Sequence, residues 1–543
     1  MKRVQFIPTS PARRRRGFVL IIVMVIVMMV AFAGFAFVNT MSDEYRAVHT
    51  NGDLLAAEQA LASAELMLLK SMESSPATSA DEPEQSEVAS AAGGWDDNPE
   101  LFQEQLLLPE RPDEEPQDDP LAWRFSVVSP NRSLDADGEE TGNIRFGLEN
   151  ESARLHLSAL VQLDAIAPDR SRAVLMAFPS MTETTADAIL DWLDTDDVPR
   201  EFGAEAEDYL DRPNAYAPRN GLPATLEELL LVRGVSRGLL FGPDEDRNFI
   251  IDPHETSARA QREEMSATEV DVELQHLGWA DLLTLHSAEA NVSSSDEPRI
   301  NLNGTSGSRL REQLSPVLPP DAVDFILQYR RFGPAGGHRS GMPAAHPASR
   351  TPDALHYKLL SVCDLIDATL SVADGSHPRV VQSPFTSSSW ELLAELLDRT
   401  TTDARMVIPG RINVNLAPRP VLHAVPGLEA AQIEQILARR AALDVEQLRT
   451  PLWLLTEQIL TVEQFRQTLP HITTGGDVFR AQLIAWRPAG GPYRRVETVI
   501  DGTVQPARRI ASRDLSAYGA AIATERLSAL NGVGQLRAGP AIR

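Results

Sequence analysis

The chain has 543 residues, too many for one compact core, so two or three domains are expected. It carries 77 acids against 50 lysines and arginines, a net charge of −27, which repels phosphate backbones and weighs against a nucleic-acid partner. Its single cysteine, Cys363, excludes an internal disulfide framework and any multi-cysteine metal site, and reads as an inert core residue.

The N-terminus is the one basic region. Residues 1–17 include Lys2, Arg3 and Arg13 to Arg16 and hold no acid. Phe18 to Val38 then runs without a charged or polar side chain. As a helix it covers roughly 31 Å, about the thickness of a bilayer's hydrocarbon core. Four arginines directly before it hold the N-terminus in the cytoplasm, so the body is expected on the far side of the inner membrane. Three readings stay open at this point. Ala31-Phe32-Ala33 mimics a secretory cleavage site, the span could be an uncleaved anchor, or Arg16-Gly17-Phe18 could be a prepilin-type junction cut after the glycine. Beyond the span, Leu54, Ala57, Leu61, Ala64 and Leu68 recur three and four apart, and no proline falls between Phe18 and Lys70. One helix of roughly 80 Å, half in lipid and half on a globular head, is expected over 18–70; a break at Asn51-Gly52 is the alternative.

Residues 71–120 are rich in Ser, Glu, Asp, Pro and Ala and read as an acidic mobile linker. A second soft stretch covers 334–352, where His338 and His346 lack a partner constellation and read as solvated; the tail over 531–543 also reads as loose. Between these lies an internal repeat. Arg299-Ile-Asn-Leu-Asn303 and Arg411-Ile-Asn-Val-Asn415 are near copies, and Arg154-Leu-His-Leu-Ser158 is a worn one. Each reads as a short strand followed by helix, with apolar clusters at Ala186 to Leu193, Ala322 to Tyr329 and Ile433 to Ala438. The helical parts look like helix-hairpin-helix units, clearest at Val425-Pro426-Gly427-Leu428 and weaker at Phe178-Pro179-Ser180-Met181 and Val232-Arg233-Gly234-Val235. In DNA-binding hairpins backbone amides meet phosphate beside Lys or Arg. Here Glu429 and Glu183 follow the turns and Lys358 is the only lysine after Lys70, so packing is favoured over DNA contact.

Between Thr182 and Gly242 the sequence reads Ala186-x-x-Ile189-x-Asp191-Trp192-x-Asp194-x-Asp196, then Gly203-Ala204-Glu205, Tyr209, Asn220 and Glu228-Leu229 through Val232-Arg233-Gly234. Arg411 to Leu428 matches a second phrase, INVNTAPxxVLxxLPGL, with Leu416 in place of threonine. In order and spacing these resemble protein K of the type II secretion system, a minor pseudopilin family. The resemblance implies an α+β fold: a long membrane-spanning pilin helix, an α/β head and inserted helical SAM-like domains. It implies a prepilin peptidase cut between Gly17 and Phe18 and no enzymatic activity. Ile22 then stands fifth in the mature chain, where pseudopilins have a glutamate; that departure resembles the tip subunit. The partners implied are sister minor pseudopilins, the inner-membrane secretion assembly and exported substrate. The runner-up is a membrane-anchored hairpin protein that receives DNA during uptake.

The expected blocks are a leader over 1–17, the membrane helix over 18–38 with its continuation over 39–70, and the linker. Head strands and the first helical domain follow over 121–250, the second repeat over 251–333, the loop, and the third repeat within 353–530. Asp191, Asp194, Asp196 and Asp197 lack the glycine and distal glutamate of a calcium loop and are expected to hold helix ends and local ion pairs. Calcium in the head is implied by the resemblance, with no ligands assigned. Asp364 and Asp367 beside Cys363 read as a surface helix, and no catalytic motif appears in a fitting context.

Overall fold

The computed structural model describes residues 17–73, 94–107, 122–131, 144–210, 215–249, 255, 277–334, 355–374, 377–519 and 527. The expectations for the basic leader, the loop with His338 and His346, and the tail lie outside these residues. Helix α1 spans Gly17–Glu73 without interruption, so Asn51-Gly52 does not break it. It is long and apolar enough to cross a membrane, and its first half is bare on all sides. The expected stripe is the face that packs: Ala57, Ala64 and Leu68 are buried, with Phe125, Val127, Leu483 and Ile500 in the core beneath that seam. The off-stripe acids are used too. Glu58 pairs with Arg494 at 2.5 Å and Glu65 with Arg509 at 2.7 Å.

The surface under α1 is a seven-stranded sheet. Its path is β1 (Gln105–Leu106), β2 (Arg124–Pro130), β15 (Val478–Trp486), β16 (Arg494–Asp501) and β17 (Arg508–Asp514), with β3 (Ile144–Arg145) on β2 and β4 (Glu149–Asn150) on β15. Some of the expected linker belongs to this head. Helix α2 (Pro99–Phe102) and β1 fall inside 71–120, and Phe102 is 2% exposed under the sheet. One aromatic and a few leucines among the acids suffice to fold residues 94–107 onto a ready-made apolar surface.

Between β4 and β15 the repeats form three strand–helices–strand units. The first opens on β5 (Leu155–His156), continues through α3 (Leu157–Ile166), α4 (Arg170–Leu175), α5 (Glu183–Leu193), α6 (Ala206–Leu210) and α7 (Arg237–Phe241), and closes on β6 (Leu283–Thr284). After β7 (Ala288–Ala290) the second opens on β8 (Ile300–Asn301), with α8 (Gly307–Leu314), α9 (Pro320–Phe332), the hairpin β9 (Thr369–Asp374) and β10 (His377–Gln382), and α10 (Trp390–Arg399), and closes on β11 (Thr400–Thr401). After β12 (Val407–Pro409) the third runs from β13 (Ile412–Asn413) through α11 (Arg419–Leu422), α12 (Ala430–Arg440), α13 (Trp453–Thr456) and α14 (Val462–Thr468) to β14 (Ile472–Thr473). Every closing strand pairs in parallel with its opening strand, a pairing that requires the helical crossover between them. The first unit therefore extends to Thr284, beyond the boundary expected at 250, because its closing strand lies inside the block assigned to the second repeat.

The worn copy keeps the geometry of the good ones. Asn301 and Asn413 accept from the backbone N–H two residues on, at 2.8 and 2.9 Å, and His156 does the same through Nδ1 to Ser158 at 3.1 Å. In the closing strands Thr284, Thr401 and Thr473 repeat this with their hydroxyls, at 3.0, 3.0 and 3.1 Å. Histidine thus substitutes for asparagine as a local acceptor. Two of the hairpin turns are bonded into their own units. Trp279 Nε1 donates to the Pro179 carbonyl at 2.9 Å, and Thr468 Oγ1 donates to the Pro426 carbonyl at 3.2 Å. Gly427 takes φ +85, and a side chain there would meet Thr468 Oγ1 at 3.0 Å. Cys363 is fully buried in the shared core of the units, in a 3₁₀ turn beside Asp364, and burial pushes its thiol up to about 12.

Glu151 fastens the first unit to the sheet. Fully buried, it accepts from Arg154 at 2.9 Å, from Arg480 of β15 at 2.5 Å, and from the Thr284 hydroxyl. Burial alone would raise its carboxyl; Arg480 and Arg154 outweigh that and hold it at about 2 against an ordinary 4.5. Glu151→Ala leaves Arg154 with Glu149 alone and Arg480 with the more distant Glu497, at 3.7 Å, and should cost about 3 kcal/mol of unfolding free energy, read from urea titration. The folded carboxyl lies below its unfolded value. Its contribution is therefore complete above about pH 4.5 and is lost as pH falls toward 2, so the gap between wild type and variant should close over that window. Cys363 should stay unlabelled by iodoacetamide until the chain is unfolded.

Candidate metal centre

Helix α5 is the source of the most charged buried corner in the first unit. Thr182 caps it, accepting from the Thr185 N–H, and its four-residue spacing puts Asp187 and Asp191 on one face, both fully buried. Asp187 takes both arms of Arg172, at 2.6 and 2.7 Å, and the Phe202 N–H at 3.1 Å. Asp191 accepts from the Ala204 N–H at 2.8 Å and the Arg200 N–H at 3.3 Å. These bonds wrap the 200–204 segment onto the helix. Gly203 has to be glycine here, since a Cβ would collide with the Asp191 carboxylate. The expectation that these aspartates hold a helix end and local ion pairs fits Asp187, Asp191 and the Arg200–Asp194 contact at 3.4 Å.

Glu205 does not fit that description. It is 5% exposed, and neither of its carboxylate oxygens has a hydrogen-bond partner. Asp194, Asp196 and Glu205 each offer an oxygen within 4.8 Å of one another. Burial, and then the charges of Asp191, Asp194, Asp197 and Asp196, push the Glu205 carboxyl up to about 7. Burial similarly lifts Asp191 to about 6. A buried carboxylate without donors among like charges is stabilised in one of two ways, by a proton or by a cation. The donor set consists only of oxygens, in a loop that can adjust, which suits calcium. The residues present therefore fit the ion implied by the resemblance. Glu205 would be the ligand that nothing else satisfies, with Asp194 and Asp196 beside it. The sequence alone points to these aspartates without Glu205; the GAE phrase is the signal for it, since its glycine and glutamate serve one corner.

The remaining residues of the recurring phrase pack around the same corner. Trp192 and Tyr209 are buried edge to face at 5.5 Å, and Trp192 Nε1 donates to Glu228 at 3.3 Å. The Tyr209 hydroxyl accepts from the Arg233 N–H at 3.2 Å. Gly234, at φ +87, lies where a side chain would strike Thr185 Oγ1 at 2.5 Å. Residues 153–240, which contain this corner, match the family model described as Type II secretion system (T2SS), protein K. Over this stretch, about a sixth of its length, the chain is similar to the protein K family of the type II secretion system. The long apolar helix with its mixed helix-and-sheet body is consistent with the pilin-like α+β fold that the resemblance implies. No curated protein matches the sequence. Among solved structures, the crystal structure of the GspK-GspI-GspJ complex from the enterotoxigenic Escherichia coli type 2 secretion system is similar at 10% identity. That match covers 86% of this chain and 98% of that one, with a TM-score of 0.32, too loose an overlay to support any argument.

The processing residues are far from this corner. Gly17 opens α1 and Phe18 lies in its first turn. Asp364 caps the 3₁₀ turn at Cys363, and Asp367 accepts from the Ser387 N–H at 3.2 Å, so both serve local structure.

Glu205→Gln keeps the shape and removes the unpaired charge. In EDTA the variant should melt a few degrees above wild type. Adding calcium should raise the wild-type melting temperature and leave the variant's unchanged; equal shifts in both would remove Glu205 from the site.

Proposed function

We propose that this pseudopilin occupies the tip of a short periplasmic pseudopilus and supports protein export across the outer membrane. The observation that carries the tip placement is Ile22. After a cut between Gly17 and Phe18 it would be the fifth residue, where a filament subunit uses a glutamate to engage the amine of its neighbour. A subunit with nothing above it has no use for that charge. The bare apolar half of α1 supports lateral packing against like helices, and the four arginines before it support an inner-membrane anchor with the body in the periplasm. The partners we assign are sister minor pseudopilins, as the resemblance over residues 153–240 suggests, together with the inner-membrane assembly and a prepilin peptidase. Calcium at Asp194, Asp196 and Glu205 would steady the first helical unit; exported substrate is the remaining contact.

The alternative, reception of DNA, has less support. Two hairpin turns are bonded into the fold through their Pro179 and Pro426 carbonyls, and the chain's charge opposes the approach of phosphate.

N-terminal sequencing of the protein from its native membrane should begin at a methylated Phe18, and Gly17→Leu should leave the leader attached. Unchanged processing of that variant would count against the prepilin reading. A DNA shift that weakens steeply with salt would favour uptake instead.

A further inference from the structure

Each of the three units opens on an arginine that stands directly before its first strand: Arg154 before β5, Arg299 before β8 and Arg411 before β13. Two of them meet a buried carboxylate. Arg154 donates to Glu151 at 2.9 Å and to Glu149, and Arg411 donates to Glu289 at 2.6 Å. The middle copy does not. Arg299 gives its Nε to the backbone carbonyl of Asp398, near the end of α10, at 3.0 Å. Among the described residues its two terminal nitrogens have no hydrogen-bond or carboxylate partner.

The acids around it are engaged elsewhere. Glu289 serves Arg411 and the Thr473 hydroxyl. Asp398 accepts from the Ser294 N–H and hydroxyl at 2.8 and 2.9 Å, and Asp477 accepts from the Ala290 N–H at 2.7 Å. Burial pushes the Arg299 guanidinium down from its ordinary value, against the pull of these distant carboxylates. A guanidinium keeps its charge in a protein all the same, so a half-buried one without a counter-charge is costly.

A separate observation is the space beside it. Arg299 lines a cavity of about 520 Å³ where the three units meet. The first unit contributes β5 and α3 to its walls, the second the 400–405 turn, and the third the 469–474 segment. Two other lining arginines, Arg405 and Arg449, are exposed and already paired, with Asp403 at 2.6 Å and Glu446 at 3.1 Å. Arg299 is thus the lining arginine that lacks a carboxylate. A planar guanidinium with its terminal nitrogens unused takes a carboxylate through two parallel bonds. Leu155, Leu163, Ile408 and Ile412 give the same walls an apolar part, and the volume is that of a site for an organic ligand. A bare inorganic anion would leave most of it unfilled.

We propose that the cavity between the three units binds a peptide carboxylate, with the terminal nitrogens of Arg299 as its anchor. The ligand supplies from outside the chain what Glu151 and Glu289 supply from within it at the other two junctions. The proposal goes beyond the tip assignment and does not depend on it.

The test uses the full chain in detergent at low ionic strength, with binding read by titration calorimetry. The probes are an acetylated, amidated tetrapeptide with one glutamate, acetylated tetraalanine with a free C-terminal carboxylate, and the neutral counterpart of each. At least one acid should bind roughly tenfold or more tighter than its counterpart, and the tighter acid names a side chain or a chain end as the source. Arg299→Met should remove that preference, and Arg299→Lys, which keeps the charge without the fork, should retain part of it. Equal binding of acid and neutral peptides by wild type overturns the site without any variant, as does failure of both acids to bind at about 10 mM. A preference that survives in folded Arg299→Met also overturns it. Inorganic phosphate that binds more tightly than either peptide, with the same dependence on Arg299, overturns the carboxylate assignment.

Discussion

The seam between α1 and the strands β15 and β16 is the constraint to which the rest of the molecule answers. The first half of α1 cannot be dissolved in water and the acidic body cannot enter lipid. Mechanical coupling between them therefore passes through one stripe of small and apolar side chains. Ala57 and Ala64 let the helix approach closely; Leu68 and Met72 supply the buried area. The ion pairs of Glu58 and Glu65 at the rim are worth little each, and they set the rotation of the helix more than its affinity. An unbroken helix is the consequence. A kink at Gly52 would detach the seam from the membrane span, and nothing in the sequence there forces one.

The strand β15 is central for a second reason. It pairs with β2, β16 and β4 and carries Arg480, the partner of buried Glu151. The three repeated units are thus inserted between β4 and β15, and the sheet closes only when the insertion brings those strands together. Glu289 has the corresponding role at the junction before the third unit, bound to Arg411 at 2.6 Å and to the Thr473 hydroxyl. At both junctions a buried carboxylate satisfies the arginine that stands just before an opening strand, Arg154 in the first case and Arg411 in the second. That pairing gives the leading arginine of those phrases a structural purpose.

Much of this was legible in the sequence, and the failures have physical reasons. The stripe on α1, the opening strands and the hairpin turns follow from periodicity and from glycine and proline chemistry. The closing strands were not legible. Two residues such as Leu283-Thr284 or Ile472-Thr473 have no pattern of their own and become strands only because a parallel partner is held nearby. The 94–107 segment was hidden by its acidic neighbours, because composition averages over the few residues that pack. Of the candidate centre, the aspartates were visible; Glu205 was not, since a glutamate nine residues past Asp196 joins them only through the turn at Gly203.

Buried carboxylates separate into two kinds in this fold, and the separation carries functional meaning. Glu151, Glu289 and Asp187 each face an arginine on another element, so their charge is compensated by the protein itself and the contact is permanent. Glu205 has no such partner, and it lies among the carboxylates of Asp194 and Asp196. Groups of the second kind cost stability in the bare chain, and they are tolerable only if something outside the chain completes them. Glu205 lies within the first unit, so a cation bound there would brace that unit without touching the contacts that hold it to the sheet.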